Sequence, residues 1–309
     1  MTTNQTKRTA GNRAVLWKRE ASLHLMLLPA CLVLILFSYV PMFGIVIGFQ
    51  KFIPAKGILH SAWIGLDNYK SVLELPNALQ VLWNTLFIAS MKIAAGLIVP
   101  IGIALLLNEI RKEYFKRSLQ TLIYLPHFLS WIILGGILID VLSLKGLVNQ
   151  FLGWFGIEAI YFLGDNGWFP FVLVISDLWK EFGFNTIVYL AALTAINPAL
   201  YEAAIVDGAS RIKQTLHVTL PGMIPIIVLL ATLSLGNALN AGFEQVFNLY
   251  SPQVYQSGDI IDTFVYRLGL VEAQYGLSTA VGLFKSVVSL LLISLSYFLA
   301  YRLANYRIF

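Results

Sequence analysis

The chain has 309 residues, of which 58% are hydrophobic and only 12% charged, with a formal net charge of +5 and a mean hydropathy of +0.75. An ordinary soluble domain carries about 25% charged residues, so there are too few charges to cover a water-facing surface, and a soluble globular protein is excluded. The apolar residues gather into runs of about twenty, the length that crosses a bilayer core of about 30 Å. This is a polytopic membrane protein.

Residues 1–24 form a basic N-terminal segment containing Lys7, Arg8, Arg13, Lys18 and Arg19. Its basic flank is signal-like, but the apolar run behind it is too long and no small-x-small cleavage site follows. It is read as leading into a retained first helix. The transmembrane domain then occupies 25–309, with spans expected at 25–47, 81–107, 119–142, 169–196, 223–245 and 278–301. Unpaired backbone groups are not tolerated in lipid, so runs of this length must be helices. The ten-residue alternation of an outer-membrane barrel is absent. The fold class is therefore an all-α membrane protein of six transmembrane helices. Pro29, Pro41, Pro100, Pro126 and Pro225 lie in or near the spans and predict kinks.

Orientation follows from the basic residues. Of the 21 Lys and Arg, thirteen fall on the N-terminal side of the bilayer and five on the other. Lys92, Lys180 and Lys285 remain inside spans. The positive-inside rule places both termini in the cytoplasm. The same excess explains the basic charge without any nucleic-acid partner.

The outer segments 48–80, 143–168 and 246–277 are too short to be separate domains. Within the second, the stretch from Leu147 to Phe155 suits the membrane interface, with Trp154 and Trp168 at headgroup depth. No internal repeat of the kind common in secondary transporters is visible. The lone Cys31 lies in the first span and offers neither a disulfide framework nor metal-ligand spacing. His24, His60, His127 and His217 are scattered, and no Ser/His/Asp set can be assembled from spacing. No phosphate-cradling G-x-x-x-x-G-K-[ST] loop is present. The stretch Gly282-Leu-Phe-Lys285-Ser286 lacks that spacing and lies in an apolar span. The chain is not expected to be an enzyme or to bind a cofactor or metal.

Between the fourth and fifth spans, residues 197–222 read as a helical elbow. Asn197-Pro198 is an N-cap followed by proline in the first turn, where its missing N–H is harmless. Ala199 to Val206 favours helix, and Asp207-Gly208 signals a turn. A second short helix is expected from Ala209 to about His217, before Leu220-Pro221 opens the next span. The plain alternative is a connecting loop that happens to be helical.

The pattern Glu202-Ala203-Ala204, Asp207-Gly208-Ala209 and Thr219-Leu220-Pro221 resembles the EAA loop of ATP-binding-cassette (ABC) importer permeases. Trp179-Lys-Glu-Phe-Gly-Phe184, Tyr39-Val-Pro-Met-Phe-Gly44, Trp63-Ile-Gly-Leu-Asp-Asn68 and Phe243-Glu-Gln-Val-Phe-Asn-Leu-Tyr250 are similar to the sugar-importer branch. Asp262-Thr-Phe-Val-Tyr-Arg-Leu-Gly269 and Ala280-Val-Gly-Leu-Phe-Lys-Ser286 resemble its members that handle oligo- and polysaccharides, an alginate-importer permease among them. The resemblance covers the chain from about residue 20. It implies a permease paired with a second permease, here expected to be a different chain. Two cytoplasmic ATPases would bind ATP and Mg beneath the pair, and an external or periplasmic binding protein would deliver a carbohydrate at the bacterial inner membrane. It also implies that the elbow is a coupling helix, with Glu202 as acidic anchor and Gly208 permitting the tight turn.

Ionisable residues inside spans cost about 2.5–3.5 kcal/mol at a helix centre and usually face a cavity or a partner. Lys92, Asp177, Lys180, Glu181, Glu244 and Lys285 are of this kind. Asp177, three residues before Lys180, is its expected partner, and Glu244 suits a hydrated outer end. Asn237, Asn240 and Glu244 are spaced to share one face of the fifth span. With Gln245, and with the rings of Trp179 and Tyr250 for pyranose faces, they are the expected substrate path, joined by Lys92 and Lys285. The competing role for such amides is helix–helix hydrogen bonding. Three intramembrane lysines would suit an acidic saccharide such as alginate, but Lys180 and Lys285 fall in stretches common across the branch and do not diagnose acidity. The other classes weighed are an ion-coupled secondary transporter and a membrane scaffold without transport. Neither has a reason for a coupling helix.

Overall fold

The computed structural model describes residue 21 and residues 23–304. The basic stretch 1–20 and the tail bearing Arg307 lie outside the described residues. The chain forms two compact units, Met1–Asn68 and Tyr69–Phe309.

In the first unit, α1 (Leu23–Phe49) is an apolar helix of 27 residues whose large side chains are mostly exposed, as suits a surface that meets hydrocarbon. A wide π turn at Ile35–Tyr39 lies just before Pro41. Proline has no N–H and its ring collides with the carbonyl four residues back, and a wide turn moves that carbonyl aside. Beyond α1, the strands β1 (Gln50–Lys51) and β2 (Ala62–Trp63) pair antiparallel. Phe49 stacks on Trp63 with ring centroids 5.6 Å apart.

The second unit is helical. Its main elements are α2 (Ala78–Glu109), α3 (Glu113–Tyr124), α4 (Trp131–Leu142), α5 (Leu147–Gly153) and α6 (Phe169–Thr194). They are followed by α7 (Pro198–Val206), α8 (Arg211–Gly236), α9 (Phe243–Leu249), α10 (Ile261–Tyr266) and α11 (Tyr275–Ala304). Among the described residues, five helices are long and apolar enough to cross a membrane, and six when α6 and α7, bent by 69°, count as one broken span. α6 carries Asp177, Lys180 and Glu181 near its middle, which dilutes its apolar character.

The most extensive pairing is that of α2 with α6. One core cluster gathers Ile88, Phe169, Leu173 and Val246. A second holds Ala104, Tyr189, Leu193 and Met223. A third gathers Val81, Leu239, Phe264, Ala280 and Val281. Lipid is as apolar as leucine, so close packing rather than flight from water holds such helices together.

The structure departs from the expected elements in three places. The third span, expected as one helix over 119–142 with a kink at Pro126, is interrupted by a 3₁₀ turn at Leu125–Phe128 between α3 and α4. Pro126 cannot donate, and the Ser130 side chain caps the restart by accepting from the Ile133 N–H at 3.4 Å. The apolar length of this region runs instead over Trp131–Gly153. The fifth span, expected over 223–245, begins earlier, at Arg211, and stops at Gly236, so residues 237–242 are not helical. The separate second elbow helix, expected to end near His217, does not form. Arg211–Gln214 continues through a π turn at Thr215–Thr219 straight into the span. That wide turn stands before Pro221 as the first does before Pro41.

Leu173 is fully buried whereas Ile175, two positions on, is 65% exposed. Leu173→Ala should destabilise the purified protein by about 2–5 kcal/mol through the cavity it leaves. Ile175→Ala should change the unfolding midpoint far less, as thermal unfolding in detergent will read.

Candidate functional site

The second unit contains a polar cavity of about 320 Å³ lined by α2, α6, the end of α8 and the break 237–242. Its polar wall consists of Lys92 from α2, Asp177, Glu181 and Asn185 from α6, Ser234 from α8, and Asn237 and Asn240 from the break. In hydrocarbon every one of these groups needs a partner or a wet cavity, and the arrangement supplies both.

Lys92, whose side chain is 9% exposed, pairs with Asp177 at 3.2 Å. It also donates to the Ala241 carbonyl at 2.7 Å and to the Gln245 side-chain oxygen. Gln245 is fully buried and its amide donates at 2.7 Å to both the Leu173 carbonyl and the Ser176 hydroxyl. Lys180 lies on another face of α6. It meets Glu181 at 3.1 Å and the His127 carbonyl at 2.7 Å, one of the acceptors freed by the break at Pro126. Glu181 also contacts His127 Nδ1 at 2.8 Å, and the His127 ring stacks on Phe184 at 4.0 Å. Lys285 binds Asp262 and donates to Asn240 Oδ1 at 2.9 Å.

These contacts sort the expected path residues. Lys92, Asn237 and Asn240 reach the cavity. Gln245 stands behind it as a buried connector, and Lys285 acts through Asn240. Asn237, Asn240 and Glu244 do not share a helix face, because the helix ends at Gly236 and Glu244 belongs to α9. Glu244 is exposed in the first turn of α9, where a carboxylate suits the helix dipole. Trp179 is 42% exposed and does not line the cavity. Tyr250 lies elsewhere too, beside a groove with Tyr161, Lys145 and Ser251. Its ring meets Tyr255 at 5.2 Å. Burial, with Tyr255 and Asp259 beside it, pushes its hydroxyl up to about 12, so it stays a neutral donor. The expected pairing of Asp177 with Lys180 is also replaced: Asp177 bonds Lys92, and Lys180 takes Glu181.

Sequence reading missed Asn185, Ser234 and the His127–Glu181 contact. It had a signal for the break in Asn240-Ala-Gly242, since glycine punctuates a helical run. Gly242 has φ +96, a backbone conformation that glycine adopts freely.

The elbow is the second feature. Asn197 caps α7 by accepting from the Ala199 N–H at 3.0 Å. Gly208, at φ +75, makes the turn. Ser210 caps the next helix by accepting from the Lys213 N–H at 3.4 Å. Tyr201 bonds Thr219 at 3.0 Å and Gln214 donates to the Ala209 carbonyl at 2.9 Å, tying α7 to the start of α8. Glu202, Ala203, Asp207 and Gly208 are exposed and Ala204 is half-buried. Leu200 is 53%, Ile205 58% and Val206 87% exposed. Leu220 and Pro221 sit within the continuous helix.

Residues 96–305 match the family described as binding-protein-dependent transport system inner membrane component. The chain belongs to this family. It is 44% identical over 279 residues to the polygalacturonan/rhamnogalacturonan transport system permease protein YteP of Bacillus subtilis (strain 168), covering 90% of this chain and 87% of that one. It is 28% identical over 287 residues to the arabinooligosaccharides transport system permease protein AraP of the same organism, covering 91% and 89%. Among solved structures, a bacterial ABC transporter involved in import of the acidic polysaccharide alginate matches with TM-score 0.87 and 37% identity, over 94% of this chain and 99% of that one. A bacterial alginate ABC transporter in complex with an alginate pentasaccharide-bound periplasmic protein matches with TM-score 0.85 and 38% identity, over 93% and 96%. The chain is thus the permease subunit of an ABC importer, a multi-pass inner-membrane protein and not itself the ATPase. The ion-coupled and scaffold alternatives fall.

Among the described residues, the side chains of Asn185 and Ser234 make no hydrogen bond within the chain. Asn185→Ala should therefore leave the unfolding free energy of the permease within about 0.5 kcal/mol of wild type while lowering uptake by the reconstituted importer. Calorimetry and vesicle uptake measured side by side will check this.

Proposed function

We propose that this permease carries an oligosaccharide or polysaccharide across the inner membrane by alternating access, with both termini and the elbow in the cytoplasm. α7 is the coupling helix and seats in a groove of one of two partner ATPases, which bind ATP and Mg. A second permease, a different chain, completes the pathway, and a periplasmic binding protein delivers the saccharide. Residues 25–309 form the permease domain, and the cavity walled by Asn185, Ser234, Asn237 and Asn240 is this subunit's share of the path.

The observation that carries the reading is α7 itself. It is a capped helix turned 69° from α6, and it presents Ile205 and Val206, three and four residues on, beside the exposed carboxylate of Glu202. Apolar side chains so exposed, rimmed by a charge, suit a protein partner. The saccharide class is supported by the names of the relatives and by a wall of amides and a hydroxyl suited to sugar hydroxyls. Acidity of the saccharide draws no support from the lysines, since Lys92, Lys180 and Lys285 each already hold a carboxylate of this chain.

Glu202→Ala should weaken the contact with the ATPase, and Gly208→Val should strain the turn, because φ +75 disfavours a branched side chain by about 1–2 kcal/mol. Both variants should insert normally yet lose most substrate-stimulated ATP hydrolysis in the assembled importer. Full stimulation in both would remove α7 from the coupling role.

A further inference from the structure

The fifth span stops at Gly236 and the chain resumes as a helix at Phe243. Where a span ends, the polar groups of the following segment need partners in the protein or in a polar cavity. Local bonds meet part of that need: the Asn237 N–H donates to the Ser234 carbonyl at 3.0 Å and the Asn240 N–H to the Asn237 carbonyl at 2.8 Å. Two lysines on two different neighbours add to these. Lys92 of α2 donates to the Ala241 carbonyl at 2.7 Å. Lys285 of α11 donates to Asn240 Oδ1 at 2.9 Å.

Each lysine brings its own counter-charge, Asp177 from α6 and Asp262 from α10. The fit at the first is close, since a Cβ on Gly242 would lie 2.9 Å from the Lys92 ammonium nitrogen. A lysine neutralised by the protein's own carboxylate, with a further donor fixed on the break, has little left to offer a passing solute. We propose that Lys92 and Lys285 are positioning residues that clamp the break 237–242 from two sides and so hold Asn237 and Asn240 on the cavity wall. This rests on the reading of that cavity as the saccharide path.

Amide hydrogen exchange on the intact importer in lipid nanodiscs tests the clamp without any saccharide. Lys285→Met should raise exchange in peptides covering 237–242 about tenfold, the factor equivalent to about 1.4 kcal/mol and the low end for a charge-assisted bond. Peptides of α6 around Leu173 should stay protected, and Lys285→Arg should retain most of the wild-type protection. Lys92→Gln should loosen the same segment from the other side. If that variant fails to assemble, the two Lys285 variants decide the matter. Unchanged exchange at 237–242 in assembled Lys285→Met overturns the proposal.

Uptake is then measured with two probes, a neutral maltopentaose and an acidic pentagalacturonate. Lys285→Met should raise KM for a transported probe by more than it lowers kcat. A lower kcat at unchanged KM would also overturn the positioning role. If the wild-type importer moves neither probe, the saccharide reading is what fails, and the exchange result still judges the clamp.

Discussion

An ammonium group carried on an apolar span is costly unless it meets an anion or a polar cavity within the protein. The second unit is organised around that requirement. Lys92 finds Asp177, Lys180 finds Glu181 and Lys285 finds Asp262, and removing one partner of such a partly buried pair leaves the other charge without its counter-charge. Two of the three pairs link different helices, so they fix which helices are neighbours. All three lysines also hold an acceptor exposed where the chain is irregular: the Ala241 carbonyl, the His127 carbonyl and the Asn240 side chain. Ion pairs and helix breaks are therefore one arrangement, in which a lysine held by a carboxylate also bonds an acceptor where the chain has stopped being helical.

Much of the helical architecture was legible because length and apolarity alone make a span. The first elbow helix and its turn were legible for a different reason, since Asn197-Pro198 and Gly208 are local signals whose meaning does not depend on distant residues. The break at 237–242 was hidden: Leu233, Leu235, Ala238 and Leu239 keep the run apolar across it, and only Gly242 marks it. Ion-pair partners were hidden more deeply. Helical spacing offered Asp177 to Lys180, yet Asp177 faces α2 and meets a lysine far away in sequence, while Lys180 takes the neighbouring Glu181. Helical spacing puts two side chains within reach of each other, but which way each leans is decided by packing. Trp179 and Tyr250 show the same limit, since their chemistry suits a sugar ring but neither lines the cavity.

The prolines divide by what surrounds them. Pro100 and Pro225 lie inside helices that continue past them. Pro126 falls in a 3₁₀ turn where one helix ends, and Ser130 caps the start of the next. Ahead of Pro41 and Pro221 the helix widens by a residue instead. Continuation, termination and widening are thus three outcomes of a proline in an apolar run, set by the residues on either side.

The π turn ahead of Pro221 keeps α8 in one piece from the elbow to the break. A helix of 26 residues is a rod about 39 Å long at about 1.5 Å per residue. Such a rod is a lever. A tilt of about 5° imposed at Arg211 would swing Gly236 by about 3 Å over that length, roughly the span of one hydrogen bond. Small rotations at one end of this helix are thus commensurate with making or breaking the contacts at the other.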